Sequence, residues 1–93
     1  MGVFLTLALD AEEERLKELS DRKKEYEREA ERLLSGTLNL RDIEENKKAI
    51  LCMDDYIAKQ KGRVLAAERS LEAERVKLTE VMMERKTHES LKE

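Results

Sequence analysis

At 93 residues, with 44% charged, 3% aromatic and no Pro or Trp, this chain has little material for a globular enzyme core. Its formal net charge of -3 is spread in mixed signs along the whole length, which argues against the concentrated basic face of a nucleic-acid binder. Abundant Glu, Lys, Arg, Leu and Ala without Pro point to long helices or a coiled coil, and the regular spacing of the apolar residues separates it from a disordered charged chain.

The opening VFLTLALDA is apolar but too short to span a bilayer, and it lacks the basic start of a signal peptide. A cytoplasmic protein is the expectation. From there the apolar residues fall into two seven-spaced rows, Leu5, Glu12, Leu19, Tyr26, Leu33 and Leu9, Leu16, Lys23, Ala30. Together they form one stripe on a helix of roughly 30 residues, interrupted at Glu12 and Lys23, where the seam should leak. Off the seam, Glu13 with Lys17 and Glu18 with Arg22 are spaced for i,i+4 ion pairs.

The cluster Ser35, Gly36, Thr37 and Asn39 recurs nowhere else in the chain. Gly36 suits a helix end, where a left-handed conformation is cheap for glycine, and Thr37 or Asn39 can cap the helix that follows. A connection of about four to six residues is short enough to return the chain antiparallel. Leu38 and Leu40 are expected to close the tip by packing across the end of the seam.

The second helix carries Ile43, Ile50, Ile57, Val64, Leu71 and Leu78 at every seventh position, accompanied three residues on by Asn46, Met53, Gln60, Ala67, Glu74 and Val81. Cys52 is the single cysteine, so no internal disulfide is available, and no histidine lies near it to make a nucleophile. Asp54 and Asp55 point to different sides of the helix and read as solvated, as does the basic group Lys59, Lys61 and Arg63. Gly62 is a weak point inside the helix, costing about 1 kcal/mol relative to Ala. His88 is the only histidine and has no partners for a metal site.

These elements predict an all-α, antiparallel two-helix coiled-coil hairpin over residues 1–93, with a helix over about 5–35, a turn over about 36–40 and a longer helix over about 41–91. The first arm should run out opposite about residues 70–73. Beyond that point an apolar stripe set among charges has no partner, and Arg75, Leu78, Val81, Met82, Arg85, Lys86 and Leu91 are the candidate partner-binding residues. No motif for catalysis, cofactor or metal binding is present. A self-associating end, most simply a symmetric homodimer, is the expectation for such a stripe.

The later part of the second helix carries a more specific pattern. Tyr56, Ile57 and Gln60 precede Val64, Ala67 and Glu68; Leu71, Glu72 and Arg75 follow; Glu84, Arg85, Lys86, Leu91, Lys92 and Glu93 close the run. This arrangement resembles the FliJ family, small coiled-coil components of the bacterial flagellar export apparatus, in which a turn also falls where Gly36 lies here. The resemblance covers about residues 12–93. Family members have longer arms on both sides of the turn and a basic-aromatic start, so the chain reads as a fragment or a divergent short member.

The resemblance implies a non-enzymatic stalk that binds the ring of the flagellar export ATPase and supports its assembly and activity. It also implies contact with the ATPase regulator, with the cytoplasmic domain of the membrane export gate and with export chaperones, at the inner face of the cell membrane. Two alternatives stay open at this stage. One is a coiled-coil dimerisation module of a larger structural or regulatory protein; the other is the equivalent stalk of a needle-type secretion system.

Overall fold

The computed structural model describes residues 2–91, with side-chain surroundings over residues 3–86. Two α-helices make up the fold, α1 (Gly2–Ser35) and α2 (Leu40–Leu91), folded back on each other into a rod of 84 × 16 × 15 Å. Neither helix contains Pro, and both are rich in straight-chain residues that lose little rotamer freedom in a helix. Tertiary packing along the seam supplies the rest, because helices in isolation are marginal.

Three local features set the turn. Ser35 ends α1 with its hydroxyl donating to the Arg32 carbonyl at 3.0 Å, and Arg32 places positive charge in the last turn. The Asn39 Oδ1 accepts from the backbone N–H of Arg41 at 3.1 Å and of Asp42 at 3.4 Å, while the Asn39 carbonyl accepts from the Ile43 N–H at 3.1 Å. Asn39 is therefore the N-cap of α2, and Asp42 adds favourable charge in its first turn. Gly36 does not take the left-handed conformation expected of it, since none of the described residues has positive φ. The cap at Asn39 lets the chain reverse through ordinary backbone geometry.

The seam follows the seven-residue rows. Leu5, Leu9, Glu12, Leu16, Leu19, Lys23, Tyr26, Ala30 and Leu33 are all half-buried on α1. On α2 the same is true of Ile43, Asn46, Ile50, Val64, Ala67, Leu71 and Glu74, and the best covered side chains are Met53, Ile57 and Gln60 in the middle. A two-helix rod has no third layer, so even its core is mostly half-covered.

The expected leak in the seam is closed by polar contacts between the helices. Gln60 donates to the Glu12 backbone carbonyl at 2.8 Å and to the Glu12 carboxylate at 2.5 Å. Asn46 donates to the Tyr26 carbonyl at 3.0 Å. These two contacts are two heptads apart on each helix, so one antiparallel register holds along the rod. Lys23, the other interruption, reaches Asp54 at 2.5 Å. Asp54 is thus a cross-helix partner, where the sequence suggested simple solvation; the lysine stem is long enough to span the edge of the seam.

The tip differs from expectation as well. Leu38 and Leu40 stand out in solvent together with Leu34, because the seam already ends at Leu33 and Ile43 and a four-residue connection has no slack to fold back over it. Glu18 pairs with Arg15 at 3.8 Å, on the turn before it.

Candidate partner-binding surfaces

At the end of the rod away from the turn, α1 covers α2 as far as Leu71 and Glu74. Past that point Arg75, Leu78, Val81, Met82, Arg85 and Lys86 are all exposed, with Leu78, Val81 and Met82 between 58% and 61% accessible. The side chain of Leu91 lies outside those described. Leu78, Val81 and Met82 are spaced three and four apart, so they share a face, and Arg85 with Lys86 continues that face one turn on. The Thr79 hydroxyl donates back to the Arg75 carbonyl at 2.9 Å, which keeps it out of the apolar strip.

Sequence reasoning missed the other half of this end. Val3, Phe4 and Leu7 on α1 are 71%, 78% and 59% exposed, and Val76 on α2 is also open. The signal was present in VFLTLALDA. That run is apolar on every side of a helix, whereas the seam consumes only Leu5 and Leu9. Combined, the two helices present a broad apolar end set among charges of both signs, Arg75, Lys77, Arg85 and Lys86 with Glu74, Glu80 and Glu84.

The long side of the rod carries a second feature, a shallow groove between the helices. Its middle stretch is lined by Arg15, Leu19, Tyr56, Lys59, Gln60 and Arg63, and continues past Arg22, Tyr26 and Met53. From Tyr26 towards the turn, the lining changes to Glu29, Arg32, Leu33, Asp42, Glu45, Asn46 and Ala49 around a space of about 400 Å³. Lys59 is paired with Asp55 at 3.1 Å and Arg41 with Glu45 at 3.4 Å. Glu29 and Arg32 form a close ion pair that holds the carboxyl below its ordinary range and raises the guanidinium further. Asp54, hydrogen-bonded to Lys23, raises that ammonium above its ordinary value.

Among the described residues no three His, Cys, Asp or Glu side chains are grouped to hold a metal ion, and Cys52 is exposed. No described helix is long and apolar enough to cross a membrane. What both surfaces offer is shape, apolar area and charge.

The family model described as Flagellar FliJ protein matches residues 5–93, nearly the whole chain. The chain belongs to the FliJ family. A search of curated proteins and a search of solved structures each gave no match. Membership agrees with the two-helix rod and its longer second helix, and it makes the chain a flagellar coiled-coil protein.

Proposed function

We propose that this protein is a stalk-like component of the flagellar export apparatus, binding the export ATPase ring and the membrane export gate to support ATPase assembly and protein export. The observation that carries this reading is the family match across residues 5–93. A slender rod 84 Å long supports it, since a ring-engaging stalk needs length and a narrow cross-section more than a catalytic pocket. The protein works at the cytoplasmic face of the membrane, where it also meets the ATPase regulator and export chaperones.

The contact surface is the apolar end carrying Arg75, Leu78, Val81, Met82, Arg85, Lys86 and Leu91. The exposed apolar strip supplies the area that excludes water, and the flanking cations steer an acidic partner surface into place. Affinity purification of the full-length gene product from motile cells tests the reading. Recovery of a hexameric ATPase supports it; recovery of the protein with no ATPase returns the chain to a simple dimerisation module.

A further inference from the structure

The back of α2, opposite the seam, carries apolar side chains that the hairpin does not use. Leu51 and Leu65 are both exposed there, on a part of α2 whose other face is covered by α1. Leu51 begins a line of exposed residues at spacings of four and three, which keep it on one face: Asp55, Ala58, Gly62, Ala66, Arg69 and Ala73. Leu65 flanks its centre. Gly62 costs about 1 kcal/mol in a helix interior. A Cβ added there would meet nothing of this chain within 4 Å, so packing inside the hairpin does not call for a glycine.

Outward from Gly62 the two halves of the line match. Ala58 and Ala66 stand four residues away on either side, Asp55 and Arg69 seven away, and Leu51 and Ala73 eleven away. The pairs are small, then opposite in charge, then apolar. Arg69 has no ion-pair partner among the described residues. Asp55 is held only from its own helix, by Lys59 at 3.1 Å through one carboxylate oxygen, which leaves the other oxygen open. The match runs over about 33 Å of helix.

We propose that the back of α2 is a self-association surface, its occupant the same face of a second copy laid antiparallel about a two-fold axis at Gly62. A residue a given number of places before Gly62 then faces the residue as many places after it in the other copy, as a two-fold interface requires. Asp55 meets Arg69 of the second copy, twice in the dimer. Ala58 meets Ala66, Leu51 meets Ala73, and Leu65 lies over Ala58. Small side chains at the centre let the helix axes approach to about 8 Å, the close end of the usual range. A parallel copy would set Asp55 on Asp55 and Arg69 on Arg69 and is disfavoured. One helix face is a small interface, so the dimer is a weak one. The proposal moves self-association from the far end, where the sequence suggested it, to the back of the rod, and it does not rest on the export function.

Sedimentation equilibrium on the whole chain tests the pairing by exchanging its charges. Asp55→Arg alone and Arg69→Asp alone each place like charges at both contacts, and each should dimerise at least about tenfold more weakly than wild type. An equimolar mixture of the two should recover the dimer as a heterodimer, and the double variant Asp55→Arg with Arg69→Asp should recover the homodimer. Recovery shows that the variants are folded. A second arm is independent of charge. Gly62→Cys with Cys52→Ser should be linked by a short bis-maleimide, because the two copies of position 62 face each other on the axis. Wild type should not be linked by the same reagent, since its two Cys52 thiols would lie about 30 Å apart along the helices.

A wild type that is monomeric at every soluble concentration overturns the proposal and leaves the face to a different partner or to solvent. So does a dimer that survives both single charge variants, or one lost with Leu78→Glu and Met82→Glu. Failure of the mixture and of the double variant to recover the dimer, with full helix content by circular dichroism, overturns it too. If the charge variants lose helix content, the cross-link decides. A link through position 62 with none through Cys52 upholds the axis at Gly62; no link through position 62 refutes it.

Discussion

Gln60 on α2 is hydrogen-bonded to Glu12 on α1, reaching the backbone carbonyl at 2.8 Å and the carboxylate at 2.5 Å. Gln60 is only 4% exposed, the most covered polar side chain among the described residues. Its amide nitrogen donates to both of these acceptors across the seam. Gln60→Ala is expected to cost about 1–3 kcal/mol in a denaturant melt, because it removes both bonds and leaves a gap. Gln60→Leu keeps the volume and should stay within about 1 kcal/mol of wild type. Equal, large losses from both would mean that the hydrogen bonds matter more than the packing.

Lys23 and Asp54 give a pH signature. The hydrogen bond and charge of Asp54 raise the Lys23 ammonium above its ordinary 10.5, so its folded pKa exceeds its unfolded one. Stability from this pair is therefore fully present below pH 10.5 and is lost as pH rises through the higher folded value. The effect is small because both groups are partly solvated. Thermal melts of wild type and Lys23→Met across that alkaline window should converge at the top of it. Parallel curves would show that the pair contributes nothing.

Packing strength should vary along α2. Ile57 is 9% exposed in the middle of the seam, and Leu78 is 58% exposed past the end of α1, though both belong to the same seven-residue row. Ile57→Ala is expected to cost about 2–4 kcal/mol, whereas Leu78→Ala should fall within about 0.5 kcal/mol of wild type in a chain without its partner. Comparable losses would place Leu78 in a contact that the hairpin itself provides.

The two interior glycines are both replaceable. An added Cβ at Gly62 meets nothing within 4 Å, and at Gly36 the nearest atom is the Arg32 carbonyl oxygen at an ordinary 3.9 Å. Gly62→Ala should raise stability by about 0.5–1 kcal/mol through helix propensity, measured by urea unfolding. Gly36→Ala should be neutral to slightly stabilising. A marked loss at Gly36 would require the left-handed geometry that this turn does not use.

The heptad rows made the helices, their pairing and the unequal arms legible in the sequence, because burial on one face imposes a spacing that survives at every seventh residue. The same rows concealed how Glu12, Lys23, Asn46 and Gln60 are satisfied. Which polar residue meets which depends on register, and register is a property of two helices at once. Leu38 and Leu40 misled for a related reason: apolar identity does not report that the connection is too tight to fold them back. The groove was legible only in pieces. Arg15 and Arg63 are far apart in sequence, and their neighbourhood exists only once the hairpin has closed.

The most direct test of the stalk assignment is a titration of purified flagellar export ATPase with this hairpin, following ATP hydrolysis and complex mass together. Wild type should bind the ATPase and raise its activity to a plateau, and Leu78→Glu with Met82→Glu should abolish both while circular dichroism shows an intact hairpin. Failure of wild type to bind, or undiminished binding and stimulation by the double variant, would contradict the account.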